Sequence, residues 1–134
     1  MYSLLCIFVK SKEIKIDCKI FSEESNICLS EEQIKIASFI INKDKNPKFK
    51  KNPLVIDIFS QKNNIPKYIS IRFIDYHHVS TNERRLEELA TSRRIIRKVD
   101  YKTLYNYYFS KIYFGNELFG IDKASRKYFN KEYI

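Results

Sequence analysis

Glycine is almost absent from this 134-residue chain, and both of its glycines, Gly115 and Gly120, lie in one stretch, "KIYFGNELFGIDKASRKYFNK". Glycine adopts positive φ angles at no steric cost, so a chain with two glycines has few sites for tight left-handed turns. We therefore predict a structural turn at Gly115, Asn116 and Gly120. In this interpretation Gly115 and Asn116 end one helix, and Gly120 leads the chain into the next.

Helical signals dominate the second half of the sequence. Ser80 and Glu83 form a capping-box pattern ahead of "RRLEELATSRRIIRK", and Asp100 is a suitable N-cap for "YKTLYNYYFSKIYF". A short last helix is expected around residues 123–129. The sequence thus predicts that residues 81–134 are helical.

The first half favours β-strands. Residues 4–9 are a continuous apolar run, and residues 14–20 alternate between apolar and polar side chains, so the two segments are predicted to pair as antiparallel neighbours. Residues 53–59 are a further candidate strand. Residues 68–76 fit either a strand or a buried helix, because their apolar residues alternate over a short span.

One helix is predicted inside this first half. Ser30 and Gln33 complete a capping box ahead of "IKIASFIIN", and the lysine-rich, proline-bounded segment 42–53 that follows is interpreted as a surface linker. The predicted fold class is therefore α+β. A single domain, residues 1–134, would combine a β-rich part, residues 1–80, with the helical part.

The charge balance favours an anionic partner. The formal net charge is +9, from 25 Lys and Arg against 16 Asp and Glu. Nucleic acid, lipid phosphate and an acidic protein surface are all compatible with such a field. Arg93, Arg94, Arg97 and Lys98 form its densest cluster, although cations at a helix C-terminus also complement the helix dipole.

Cofactor and targeting signals are weak. The 3 cysteines show no Cys-x-x-Cys spacing, and the 2 histidines are adjacent, so neither a metal nor another cofactor is predicted. The apolar run at residues 4–9 is too short to cross a bilayer and has no basic region before it, so no signal peptide or transmembrane segment is expected. These observations predict a cytoplasmic protein with reduced thiols.

The stretch "YYFSKIYFGNELFGIDKASRKYFNK" resembles the end of the peptidoglycan glycosyltransferase (transglycosylase) domain of penicillin-binding proteins and monofunctional transglycosylases. That family shows a tyrosine-leucine-asparagine helix end, an isoleucine-tyrosine-phenylalanine-glycine-asparagine turn, and a tyrosine-phenylalanine-glycine/asparagine-lysine close. The resemblance implies that residues 84–131 adopt part of the transglycosylase fold.

The resemblance also implies ligand-binding residues. "RRLEE", residues 84–88, matches the family's arginine-lysine-x-x-glutamate motif, and Arg94 falls on an arginine that the family carries later on the same helix. In the family the basic pair faces a lipid pyrophosphate and the glutamate is the second acidic residue of the site. Carried over, this implies Arg84, Arg85 and Arg94 as ligand-binding residues and Glu88 as a candidate catalytic residue. Read without the resemblance, the same residues make ordinary ion pairs along one helix.

The sequence departs from the family where the general base should lie. No glutamate follows "IPKYI", and Asp75, His77 and His78 occupy that region instead. Asp75 is the candidate base, although its side chain is one methylene shorter than a glutamate. The family's glycine-glycine-serine-threonine-isoleucine-threonine-glutamine-glutamine segment has no counterpart, since only residues 79–83 connect the two regions. Catalysis is therefore not the favoured interpretation.

Tyrosines supply the remaining functional hypothesis. The helix after Asp100 carries more tyrosines than one face can bury, and tyrosine and arginine are typical of interface hot spots. We predict a non-catalytic module that binds one protein partner whose surface is acidic, as an accessory, inhibitor or immunity-type protein. A glycosyltransferase-like enzyme acting on lipid-linked disaccharide and a nucleic-acid-binding protein are the alternatives. The predicted interface residues are Tyr101, Tyr105, Tyr107, Tyr108, Tyr113, Arg93 and Arg97.

Overall fold

A computed structural model of the chain describes residues 17–51, 64–73 and 81–131. Most of these residues form α-helices. A 3₁₀ turn, Ile71–Phe73, continues the third helix. The helices are α1 (Lys19–Glu23), α2 (Glu31–Asn42), α3 (Asn64–Ser70), α4 (Thr81–Lys98), α5 (Tyr101–Lys111) and α6 (Ile121–Phe129).

The predicted α+β fold with N-terminal antiparallel strands is wrong for the part of the chain that the structure describes. That part holds no β-strand, and its one β-type pairing is an isolated antiparallel bridge between Tyr113 and Phe119. The candidate strands at residues 4–9 and 53–59 lie outside the described residues.

Helix α1 shows why the alternating pattern gave a wrong strand prediction. The pattern at residues 14–20 predicted a strand, but its end turns into α1, where the Asp17 carboxylate accepts the backbone N–H of Lys19 at 3.1 Å. Phe21 in this helix is fully buried and packs edge-on against Phe73 and Tyr107. Contacts with residues far along the chain thus override a local period of two.

The ambiguous segment 68–76 is helical as far as the structure describes it. Pro66 lies in the first turn of α3, where the missing N–H of proline costs no hydrogen bond. Ile65 and Ile69 lie one turn apart and are both buried, so the apolar residues serve a helix face.

Two predicted caps are confirmed. The backbone N–H of Gln33 donates to the Ser30 hydroxyl at 3.2 Å, and the backbone N–H of Ser30 donates to the Gln33 side-chain oxygen at 2.8 Å. The Asp100 carboxylate accepts the backbone N–H of Thr103 at 3.2 Å and so begins α5. Ser80, the predicted cap of α4, lies outside the described residues.

The turn at the glycines needs one correction. Helix α5 ends at Lys111, before Gly115 and Asn116, so these residues do not cap it. Gly115, Asn116 and Glu117 instead form a tight reversal with φ angles of 86°, 49° and 61°. Gly120 does lead into α6, with φ 92°, and a Cβ there would lie 2.7 Å from the Ser110 carbonyl oxygen.

Helix α5 is the centre of the core. Leu104, Tyr105 and Tyr107 are buried against residues from the helices around them. The backbone N–H of Leu29 donates to the Asn106 side-chain oxygen at 2.9 Å, which fixes the start of α2 against α5. None of the helices in the described ranges is long and apolar enough to span a membrane.

The lysine-rich segment after α2 is anchored rather than a free linker, as far as residue 51. The Ser38 hydroxyl donates to the Asp44 carbonyl at 2.8 Å, and Phe49 is buried, with its ring stacked 5.4 Å from that of Tyr105. This anchoring places residues 48–51 beside the junction of α4 and α5.

Candidate functional site

Arg84, Arg85 and Glu88 lie in the first half of α4. The Arg84 Nε donates to the Glu88 Oε1 at 3.2 Å, one turn along the helix. The side chain of Glu88 is 18% exposed, whereas that of Arg84 is 51% exposed. The structure therefore brings the first arginine of the motif together with its glutamate at the edge of the buried helix face.

The sequence predicts an acidic partner for Glu88. Asp75, His77 and His78 lie outside the described residues, so an acidic pair of Asp75 and Glu88 stays a prediction. The same holds for a base at either histidine.

The basic cluster of α4 divides along the helix. Arg93 and Arg94 are partly buried, because Ile95 and Ile96 beside them face the core. Arg97 is exposed and lines a pocket at the end of the helix.

Two of the predicted interface tyrosines lie in the core. Tyr105 is 0% exposed and its hydroxyl accepts a hydrogen bond from Asn42 Nδ2 at 3.1 Å. Tyr107 is 2% exposed; Arg72 donates to its hydroxyl and lies 5.5 Å above its ring. Burial raises the pKa of both hydroxyls. In this structure neither side chain offers surface to a partner.

The other predicted tyrosines are more accessible. Tyr101 and Tyr108 are partly buried, and the ring of Tyr108 packs edge-on against that of Tyr68 at 5.2 Å. Burial raises the pKa of Tyr108. Tyr113 is exposed and its ring lies 5.1 Å from that of Phe119.

The structure reveals an apolar groove that the sequence interpretation missed. The groove has a volume of about 400 Å³ and runs between α2 and α5. Ile36 and Ile40 line it from α2, Tyr108 and Phe109 from α5, and Phe114 from the segment that follows. We call this feature the apolar groove.

The α2 wall of the apolar groove is unusually exposed. Ile36 and Ile40 in this wall are each 61% exposed, and Phe39, which lies on α2 outside the groove lining, is 55% exposed. The signal for this was present in "IKIASFII", which holds more apolar side chains than one helix face can bury. Contiguous exposed apolar surface of this kind marks a site of association.

Basic side chains flank this wall. Lys35 and Lys45 line a shallow depression together with Ile36 and Phe39. The side of α2 that carries Ile36 and Phe39, beside the apolar groove, is therefore positively charged.

A second pocket, of about 380 Å³, lies at the junction of α4 and α5. Lys48 and Lys51 line it from the segment after α2, and Arg97 and Lys98 line it from the end of α4. We call it the basic pocket.

Comparison with known families identifies the second half of the chain. The transglycosylase family model matches residues 67–134, just over half of the 134-residue sequence. Curated proteins and solved structures give no match to the chain. The matched range contains α4, α5, the glycine turn and α6, which are the elements that carry the "RRLEE" motif and the "IYFGN" turn. By this match the chain belongs to the transglycosylase family.

Proposed function

We propose that the protein is a non-catalytic binding module that captures one partner protein in its apolar groove. The observation that carries the proposal is the exposure of Ile36, Phe39 and Ile40 beside a groove floored by Tyr108 and Phe109. Full burial of such a side chain contributes about 1.5–3 kcal/mol, so covering the exposed half of each contributes roughly 1 kcal/mol.

The chemistry of the groove defines the partner. An amphipathic segment with an apolar face would fill the space between α2 and α5. Lys35 and Lys45 at the groove edge favour acidic residues beside that face. This partner agrees with the acidic protein surface expected from the formal net charge of +9.

The sequence around the family motif supports a non-catalytic role. Residues 79–83 leave no space for the family's serine- and threonine-rich segment, and no glutamate stands at the expected position of the base. An accessory, inhibitor or immunity-type role is the form that this binding proposal takes.

The test compares three purified proteins that differ only in surface side chains. The wild type, the double variant Ile36→Asn/Ile40→Asn and the control Phe129→Asn are cross-linked in extract of the native cell and quantified by mass spectrometry. Phe129 is 73% exposed and lies on α6, so its replacement removes similar apolar surface outside the groove lining. Circular dichroism establishes that all three are folded.

We expect one partner at fixed stoichiometry with the wild type and the control, and its loss with the double variant. A partner that the groove variant still captures, or the absence of any stoichiometric partner, would overturn the proposal. The captured partner should also contain an amphipathic acidic segment that binds the purified chain as a synthetic peptide.

Glycosyl transfer is the second candidate, favoured by the family match over residues 67–134 and by the pairing of Arg84 with Glu88. The assay incubates the chain with a lipid-linked disaccharide diphosphate and follows glycan polymer. Glu88→Gln should lower any activity by about a hundredfold or more, whereas its neighbour variant Glu87→Gln should not. Polymer formation with that pattern would replace the binding proposal by the enzyme.

A further inference from the structure

We propose that the basic pocket binds a phosphate or diphosphate ester. Four cationic side chains from two separate segments, Lys48 and Lys51 on one side and Arg97 and Lys98 on the other, line a space of about 380 Å³. A cavity of this size holds a phosphate together with part of the group that it esterifies.

Both walls of the basic pocket are anchored in the core. Phe49, between the two lysines, is buried and stacks on Tyr105. On the other wall, Val99 is buried and its backbone N–H donates to the Ile95 carbonyl at 2.9 Å. The exposed cationic groups therefore extend from fixed backbone, which lowers the entropic cost of converging on one anion.

The charge at the pocket favours a multiply charged anion. Among the described residues of its lining Asp100 is the one acidic residue, and that carboxylate already accepts hydrogen bonds from the N–H and the hydroxyl of Thr103. The N-terminus of α5 begins at Tyr101 and adds partial positive charge. Arginine and lysine together form the charge-assisted hydrogen bonds that phosphate oxygens accept.

Apolar groups form the rest of the lining. Phe49, Ile96, Val99 and Tyr101 line the basic pocket together with the cations. This arrangement fits an ester whose organic part is flat or apolar better than it fits bare phosphate, because these side chains can pack against such a group.

The basic pocket is distinct from the family motif on the same helix. Lys98 follows Glu88 by nearly three helical turns, a rise of about 15 Å along the axis. Two of its four cations, Lys48 and Lys51, also lie outside the range that matches the family. The pocket is thus a property of this chain rather than of the matched half.

Isothermal titration of the full chain with adenosine diphosphate tests the proposal. The pocket variant is Lys48→Gln/Lys98→Gln, and the charge-matched control is Lys123→Gln/Lys127→Gln, both of whose lysines are exposed and absent from the pocket lining. We expect binding at least tenfold weaker in the pocket variant and within twofold of wild type in the control. Equal weakening in both variants, or no binding to the wild type at millimolar concentration, would overturn the proposal.

A second pair of variants separates the pocket from the motif. Arg84→Gln/Arg85→Gln should leave the affinity for adenosine diphosphate within twofold of wild type. Loss of binding in Arg84→Gln/Arg85→Gln, with binding retained by Lys48→Gln/Lys98→Gln, would assign the anion to the family motif and overturn the proposal for the basic pocket.

Further ligands identify the source of the phosphate. Inorganic pyrophosphate should bind more weakly than adenosine diphosphate, because it leaves the apolar lining uncovered. Vesicles that contain phosphatidic acid would point to a lipid headgroup if their binding also falls tenfold in the pocket variant. An oligonucleotide that binds a hundredfold more tightly than adenosine diphosphate, with equal loss in both lysine pairs, would replace the proposal with a nucleic-acid surface.

Discussion

The apolar groove and the basic pocket lie along the same helix, α5, yet they differ in the property that decides what each can bind. The groove is lined by Ile36, Ile40 and the aromatic side chains of Tyr108 and Phe109. The pocket, at the other end of α5, is lined by cations around a small apolar floor. One helix thus separates a surface suited to an amphipathic protein segment from one suited to an anion.

The two surfaces nevertheless have a common construction. In each, one wall comes from the range that matches the family, residues 67–134, and the other comes from the part of the chain before it. The groove takes that second wall from α2, and the pocket takes it from residues 48–51. The surfaces we propose as functional therefore arise where residues outside the family match pack on the family elements.

The largest effect expected is from Phe49→Ala. Removing a buried ring that stacks on Tyr105 should lower the free energy of unfolding by about 3 kcal/mol, as measured by urea denaturation. The matched control is Phe39→Ala, whose side chain is 55% exposed and should change stability by less than about 0.5 kcal/mol.

The same variant separates the two surfaces. Phe49→Ala should weaken binding of adenosine diphosphate more than partner capture, because Phe49 lies between Lys48 and Lys51. Equal loss of both activities in the folded variant would show that the groove and the pocket are not independent.

Gly120→Ala is expected to have the second-largest effect on the free energy of unfolding. Its Cβ would lie 2.7 Å from the Ser110 carbonyl oxygen at a φ of +92°, so we expect a loss of about 2 kcal/mol or more in thermal or urea unfolding. Gly115→Ala also places an alanine at positive φ, but with no heavy atom within 4 Å, and should cost about 1 kcal/mol. Similar losses at the two positions would contradict the close approach at Gly120.

Gly120→Ala should also weaken partner capture by the apolar groove. Gly120 precedes Ile121, which lines the apolar groove, so movement of the backbone at Gly120 should impair the groove before the basic pocket. Binding of adenosine diphosphate by the folded Gly120→Ala variant provides the comparison.

Asn106→Ala is expected to have a smaller effect. Its side-chain oxygen accepts the backbone N–H of Leu29 at 2.9 Å, and leaving that N–H without a partner should cost about 1 kcal/mol. Asn26→Ala is the control, because Asn26 contributes its backbone N–H, which donates to the Ser110 hydroxyl at 3.2 Å. Hydrogen exchange of the Leu29 amide should quicken in the first variant and stay unchanged in the second.

The smallest effect is expected at the ion pair between Glu31 and Lys102, which joins α2 to α5 at 2.6 Å. The hydrogen bond and charge of Lys102 lower the pKa of Glu31, and those of Glu31 raise the pKa of Lys102. The pair should therefore contribute in full to the free energy of unfolding at pH values between the ordinary pKa values of the two groups, about 4.3 and 10.4.

The stabilisation from this ion pair should disappear at both extremes of pH. The contribution should be lost as pH falls through the lowered pKa of Glu31, and as pH rises through the raised pKa of Lys102. A double-mutant cycle of Glu31→Gln and Lys102→Met, measured across this range, should show a small coupling that disappears in 1 M salt. A coupling that persists in 1 M salt, or that does not weaken at acid pH, would contradict an exposed electrostatic pair.

Local chemistry made part of the fold predictable. The capping box of Ser30 and Gln33 and the cap at Asp100 need only residues within one turn, and both are confirmed. The helical identity of α1 could not be found this way, because it depends on Phe21 packing against Phe73 and Tyr107. The strand prediction failed where stabilising contacts are distant in sequence.

The candidate site was predictable to a smaller extent. The resemblance located Arg84 and Glu88, whose ion pair the structure shows, but Asp75 lies outside the described residues. Sequence alone did not separate the buried tyrosines of α5 from accessible ones, since apolar and aromatic residues extend around more than half of the circumference of that helix. The apolar groove and the basic pocket each need two segments to meet, which no single motif encodes.

The glycine turn has a consequence for the order in which the molecule assembles. The Gly120 N–H donates to the Ile112 carbonyl at 2.8 Å, and the Leu118 N–H donates to the Gly115 carbonyl at 2.9 Å, so α5 and α6 are joined by contacts close in sequence. Such local contacts form quickly, whereas the bond from Leu29 to Asn106 must close a long loop. During synthesis, α2 leaves the ribosome before α5 exists, and its apolar side chains must wait for their partner. We therefore expect Ile34, which is buried in the folded chain, to stay exposed to chaperones on the nascent chain until α5 has been made.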